Sequence, residues 1–272
     1  MRSIGPSSRV AASRPLTMYF LIAFGIPWIA GIGIIGPVFV RGDPVGPGAA
    51  AFLFAAMLLG PSSAGIAMTS VVDGRAALRE LAQRMLRARV GPWWYGMAGL
   101  LFPILVVCVL GALTLWISPR YAPGFLPLGV AVGLLAGLFE EIGWTGFALP
   151  RLLVRFGALR AALTLGALWS AWHVVADFLG SASQLMSYWL PHFAAFCVAM
   201  IATRVLMVAV YTRTRSVLLM QLMHASSTGS LVMLGPQGLM PAEEVLWFSA
   251  YAATVALLAA AVVVATRGRL GG

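Results

Sequence analysis

Glu140, Glu141, His173 and His224 are the side chains of this protein best suited to chemistry, and all four stand inside stretches apolar enough to cross a bilayer. The 272 residues include only eight acidic side chains and three histidines. An ionisable group at bilayer depth costs several kcal/mol on most scales, so it marks a functional site by default. Two glutamates and two histidines on three different spans read as one assembled site. Carboxylates beside imidazoles suit hydrolysis, in which a base activates water and donors steady the charge that develops. The chemistry expected is water-driven hydrolysis within the membrane.

The elements that must position these residues follow from composition. The chain is 61% hydrophobic and 10% charged, with a mean hydropathy of +0.93, against about 45–50% apolar and about 25% charged in a soluble domain. That predicts an all-α polytopic membrane bundle. Eight apolar runs approach the ~17–25 residues a spanning helix needs. They are Thr17–Val40, Ala49–Val72, Trp93–Ile117, Leu126–Leu149, Leu159–Leu179, Leu190–Val210, Val217–Leu234 and Val245–Thr266. The first is too long for a signal-peptide core and is read as a retained span. Residues 17–266 form one transmembrane domain between short tails, 1–16 and 267–272. Cys108 and Cys197 lie in apolar runs without a CxxC, which argues against a disulfide framework.

The net charge of +10 comes from 18 arginines and no lysine. A nucleic-acid binder would gather such charge on one soluble face; here arginine recurs in short loops, and no nucleic-acid partner is expected. With the N-terminus in the cytoplasm, sixteen arginines fall inside and only Arg41 and Arg120 outside. Both termini are therefore expected to be cytoplasmic, and the all-arginine usage suggests a bacterial plasma membrane. Between the second and third spans, Leu78, Leu81 and Met85 recur at helical spacing among Arg75, Arg79, Arg84 and Arg87. This predicts an interfacial helix drawn to anionic headgroups, with Trp93, Trp94 and Tyr95 anchoring the next span.

Three motifs carry a resemblance. Phe139–Leu152, FEEIGWTGFALPRL, resembles the first motif of the CPBP family of CAAX proteases and bacteriocin-processing proteins, also called Abi: Glu-Glu-x-x-x-Arg, often followed by Gly and Leu-Pro. Trp169-Ser-Ala-Trp-His173 resembles the second, with Trp in the usual Phe position. The stretch from Arg213-Thr-Arg215-Ser through His224-Ala-Ser-Ser-Thr228 resembles the third, His-x-x-x-Asn after a basic turn. The resemblance covers about 126–234, with motif order and spacing intact. It implies an intramembrane endopeptidase acting on a membrane-associated or lipid-linked substrate. Glu140, His173, His224 and Thr228 would be catalytic, while Glu141, Thr145 and Trp169 would bind or support.

Two positions depart from the family pattern. The family Arg falls on Thr145 and the family Asn on Thr228. Arg at 145 would pair with Glu141 at i,i+4. With Thr there, Glu141 must find another donor, become neutral or face water. Thr228 keeps one hydroxyl donor where Asn would offer an amide. A catalytically weakened or inactive relative, acting as a membrane binding or immunity partner, is the alternative reading. A proton-coupled transporter would also place Glu and His at depth, but no internal repeat is evident.

Chemistry alone assigns the same roles. Glu140, shielded from water, is the base; His173 orients the water or shuttles its proton; His224 and Thr228 donate to the oxyanion. Glu141 points ~100° away around the helix and cannot share that task equally. Glu140, His173 and His224 could instead ligate zinc as two histidines and a carboxylate, yet no HExxH spacing advertises a site. A metal-free general base is favoured. Depth puts Glu140 and His224 nearly level and His173 about two turns higher. Snorkelling remains the plain alternative for Glu141. His192 is read as structural, Asp177 as exposed at the interface, and Glu243 and Glu244 as suiting the last helix's dipole. Gly143–Pro150 is read as a helix end.

Overall fold

The structure, a computed structural model, describes residues 6–271; Arg2 of the N-terminal tail lies outside them. Every regular element among the described residues is helical. In chain order they are α1 (Pro6–Ala30), α2 (Gly36–Val40), α3 (Pro47–Met85), α4 (Pro92–Trp116), α5 (Leu128–Gly143), α6 (Leu149–Phe156), α7 (Ala158–Leu185), α8 (Trp189–Thr214), α9 (Val217–Leu234) and α10 (Pro241–Ala265). Two π-turns are inserted, Gly31–Ile35 and Trp144–Ala148.

Among the described residues, seven segments are long and apolar enough to cross a membrane. One of them, Ala158–Thr214, runs for 57 residues. As straight helix it would reach roughly 85 Å at ~1.5 Å per residue, far beyond a hydrocarbon core of ~30 Å. It breaks at Met186–Tyr188 into α7 and α8, which lie against each other. The chain is thus an integral membrane bundle whose apolar runs amount to eight passes.

The Arg-rich loop does hold a helix. α3 bends at Gly74, whose φ of 81° is the left-handed region that favours glycine. Beyond the bend Leu81 is buried, Leu78 and Met85 are half-buried, and Arg75 and Arg79 face outward. The expected amphipathic face is present.

Another expectation needs correction. Gly143–Pro150 is no helix end: α5 continues through the π-turn Trp144–Ala148 into α6 and stops at Gly157, φ 75°. A π-turn inserts an extra residue without breaking the backbone hydrogen bonds, and such turns gather at functional sites.

What fixes α5 in the bundle is a ridge of small residues. Gly129, Gly133 and Gly137 recur every fourth position and meet the backbone of α9. A Cβ on Gly137 would come within 2.2 Å of the Gln221 carbonyl oxygen, and one on Gly133 within 2.3 Å of that of Ala225. In lipid, where apolar tails give helices little hydrophobic reason to associate, close backbone approach is what holds them together. The next residue in this series is Glu141, so the ridge delivers that carboxylate against α9. Gly137→Ala is expected to push the helices apart and destabilise the protein by about 1–3 kcal/mol. Gly99→Ala on α4, where a Cβ meets nothing within 4 Å, serves as the control. Equal melting temperatures for the two variants in detergent would disprove the ridge's role.

Candidate active site

Five helical elements meet at the two glutamates, and the two carboxylates have different company. Glu141 is fully buried. Arg204 of α8 grips it with both terminal nitrogens, at 3.0 Å to each oxygen. His224 Nδ1 lies 2.9 Å from Oε1, and the Thr145 hydroxyl donates to Oε2. With donors on both oxygens, Glu141 is saturated. Snorkelling is thereby overturned for this residue.

Glu140, 4% exposed, is held at one oxygen. The indole N–H groups of Trp144 and Trp169 donate to Oε2 at 3.2 and 3.1 Å. No hydrogen bond among the described residues reaches Oε1. His224 Nε2 stands 3.9 Å from Oε2, so one imidazole bridges the two carboxylates. Because Nδ1 donates its proton to Glu141, the Nε2 edge is turned toward Glu140. The level placement of Glu140 and His224 expected from depth is what the helices produce.

His173 is set apart. Its Nδ1–H donates to the Trp169 carbonyl at 2.8 Å, leaving Nε2 as an acceptor. Its ring sits among Trp172 at 4.6 Å, Phe196 at 5.1 Å and Trp169 at 5.9 Å. The other side of the Trp169 contact is His224, 4.8 Å between centroids. No hydrogen bond among the described residues joins His173 to Glu140. Thr228, one turn after His224 on α9, is half-buried. α9 itself is started by Ser216, whose hydroxyl accepts from Leu219 N–H at 3.2 Å, a polar cap of the usual kind.

The three residues proposed as zinc ligands do not form a ligand set. Among the described residues no group of three or more His, Cys, Asp or Glu could hold a metal ion. The Glu140 oxygen nearest His224 also receives two indole N–H donors, an arrangement made for an anion rather than a cation.

Arg204 is the residue missing from the sequence reading. The charge count expects it among the cytoplasmic arginines, but it is fully buried in the site, which leaves fifteen for that expectation. It also stacks over the Trp169 ring at 4.2 Å, a cation–π contact. A signal was present, since the expected span Leu190–Val210 contains it. An arginine within a span ordinarily faces the bundle interior and pairs there. Trp144 was missed as well; four residues after Glu140, it lies on the same helix face.

Of the other polar residues, Asp177 is half-buried rather than exposed. It accepts from Trp189 Nε1 at 2.7 Å and from Ser181, and does not orient His173. His192 is buried and tilts over Phe248 at 4.9 Å, as a structural residue. Glu243 caps α10, accepting from Met240 N–H at 2.7 Å, and pairs with Arg120 at 2.9 Å.

The bundle thus gathers two adjacent glutamates, a histidine from a separate span and a buried arginine into one polar cluster. Residues 122–229 match the family described as type II CAAX prenyl endopeptidase, Rce1-like. This segment, which is less than half of the chain, is what is similar to that family. CAAX prenyl protease 2 of Methanococcus maripaludis is 34% identical over 64 residues, which is 24% of this chain and 23% of that protein. The likeness thus spans under a quarter of either chain. That relative is archaeal, so a bacterial source gains no support from it.

Proposed function

We propose that this protein is an intramembrane endopeptidase that hydrolyses a peptide bond of a membrane-associated or lipid-linked substrate. The observation that carries the reading is the division of labour between the glutamates. Glu141 is saturated by Arg204, His224 and Thr145, whereas Glu140 is steadied at one oxygen and keeps the other for a water proton. Glu140 takes that proton, the water oxygen attacks the carbonyl carbon, and the proton passes to the departing amine. Thr228 supplies a hydroxyl donor to the oxyanion, joined by His224 Nε2 in the imidazolium form, and Glu141 with Arg204 holds the imidazole in place. The acceptor Nε2 of His173 suits it to orient the water.

The non-catalytic reading rested on Thr145 and Thr228. Arg204 weakens half of it, because the cation that the family carries at the Thr145 position is supplied from α8. The test is cleavage of a panel of lipidated C-terminal peptides and membrane-embedded peptides by the full chain in proteoliposomes, with and without chelator. Turnover without chelator sensitivity is expected. Turnover lost to chelator and restored by zinc rejects the metal-free mechanism, and no cleavage of any substrate favours the binding partner.

Thr228→Asn is expected to preserve or raise that turnover, since it places an amide donor where a hydroxyl now stands. Losing an oxyanion donor costs ~2.7–4 kcal/mol in known enzymes. Thr228→Val should therefore slow turnover by roughly 10²–10³; equal rates for Asn and Val remove Thr228 from the mechanism.

The fifteen loop and tail arginines support a cytoplasmic location for both termini. A reporter fused after Gly272 should be active only inside the cell. Activity confined to the outer side would invert the topology.

A further inference from the structure

The strongest unassigned feature lies at the Arg-rich end of the bundle, where the second half of α3 crosses the ends of α6 and α8. A cleft of about 330 Å³ opens there, lined by Glu80, Arg84, Arg87, Pro150, Tyr211 and Arg215. Three guanidinium groups face one carboxylate, and that carboxylate is largely spent on solvent: Glu80 is 71% exposed and only 3.9 Å from Arg84 Nε. Arg87 also lines a second cleft beside the first, with Arg89. The site carries excess positive charge where the helices leave the hydrocarbon.

Its arginines are held in ways that keep their charge facing the cleft. Arg84 is mostly buried, with a side-chain exposure of 19%. One of its terminal nitrogens donates to the Gly146 carbonyl at 3.1 Å, the other to the Tyr211 hydroxyl at 3.4 Å, and its buried Nε has no hydrogen-bond partner. A buried, unpaired donor on a cation is costly unless an anion completes it. Arg215 ends α8 with φ 53°, the left-handed conformation that usually goes to glycine or asparagine at that place. Its guanidinium lies 5.8 Å from the Tyr211 ring centroid. Arg87 is exposed and free to close over a ligand.

We propose that this cleft binds a phosphate group, in the form an anionic phospholipid headgroup presents it, between Arg84, Arg87 and Arg215. Converging guanidiniums at the end of a bundle match a multiply accepting phosphate better than a single carboxylate. The location fits too, because α3 beyond Gly74 is amphipathic and turns its apolar side to the bundle. The site also has a line to the glutamates. Arg84 donates to Gly146 O inside the π-turn Trp144–Ala148, and Leu81 packs over that same glycine. A bound phosphate would fix Arg84, and with it the turn that carries Trp144 and Thr145.

The experiment measures phosphate-ligand binding by the full chain and does not depend on cleavage. Purified protein in detergent is titrated with phosphatidylglycerol, with phosphatidylcholine and with inorganic phosphate, and read by melting temperature and by lipid retention in native mass spectrometry. Phosphatidylglycerol should raise the melting temperature and be retained, and phosphatidylcholine should not. Each Arg→Gln change should weaken retention roughly fivefold, from ~1 kcal/mol per arginine near a lipid surface. Arg84→Gln touches the Gly146 contact and could unsettle the fold, so Arg87→Gln/Arg215→Gln is the deciding variant. It keeps the parent's melting temperature in phosphatidylcholine and loses about 25–30-fold in retention. Retention undiminished in that variant, or equal for the two lipids, overturns the proposal. Inorganic phosphate that binds as tightly as the lipid would keep the phosphate site but overturn its assignment to a headgroup. Loss of peptide cleavage with lipid binding intact would count against the protease reading alone.

Discussion

Arg204→Gln should destabilise the protein by about 3–5 kcal/mol, because it leaves a buried carboxylate without its cation. Both Arg204 and Glu141 are without exposure, and the pair is bidentate. Cleavage should fall with it, since Glu141 would no longer hold His224 in place. The informative partner change is Thr145→Arg. Alone, it forces a second guanidinium into a fully buried position already served by Arg204, and should itself be destabilising rather than tightening. Combined with Arg204→Gln, it returns a cation at i,i+4 to Glu141 and should recover part of both melting temperature and turnover. Parental stability and activity in Arg204→Gln would remove the pair from the site. Failure of the double variant alone would show that the cation must come from α8.

Glu140→Gln should do the opposite, lowering kcat by about 10²–10⁴ with little change in melting temperature. The glutamine carbonyl still accepts both indole N–H groups, so the packing around Trp144 and Trp169 survives while the base is gone. Glu141→Gln makes the contrast, with stability lost along with turnover. Full turnover in Glu140→Gln, assayed in proteoliposomes beside the parent, would reject the catalytic assignment.

The contrast between these residues also explains what could be read from the chain. Hydropathy alone marks the passes, because a run such as Val217–Leu234 has no soluble alternative and the helix found there has the same bounds. Glu140 and His224 could be matched because two antiparallel rises on known boundaries put them level. The same reckoning set His173 higher, and it is His173 that stays among Trp172 and Phe196. Arg204 was misread because an arginine near a helix end weighs in a charge count whichever way its side chain points. Only contact between α8 and α5 reveals its partner. The π-turn was hidden for another reason: Gly143, Gly146 and Pro150 are helix-ending types, and nothing local distinguishes an end from an inserted residue. The period-four glycines were legible in principle, but which helix they meet depends on the bundle.

The placement of Arg204 on α8 also sets a constraint on how the protein is made. In the family pattern the cation sits four residues from the glutamate, and the two enter the bilayer as a neutral pair on one helix. Here they are 63 residues apart. At a synthesis rate of about 5–20 residues per second, roughly 3–13 s separate the emergence of Glu141 from that of its counterion. During that interval α5 carries two acidic side chains with no cationic partner, each opposing insertion by several kcal/mol. α5 must therefore linger at the insertion machinery, or at the water interface, until α7 and α8 have been threaded. Truncated nascent chains ending before Arg204 should expose α5 to a water-soluble cysteine label, and chains extending through α9 should protect it.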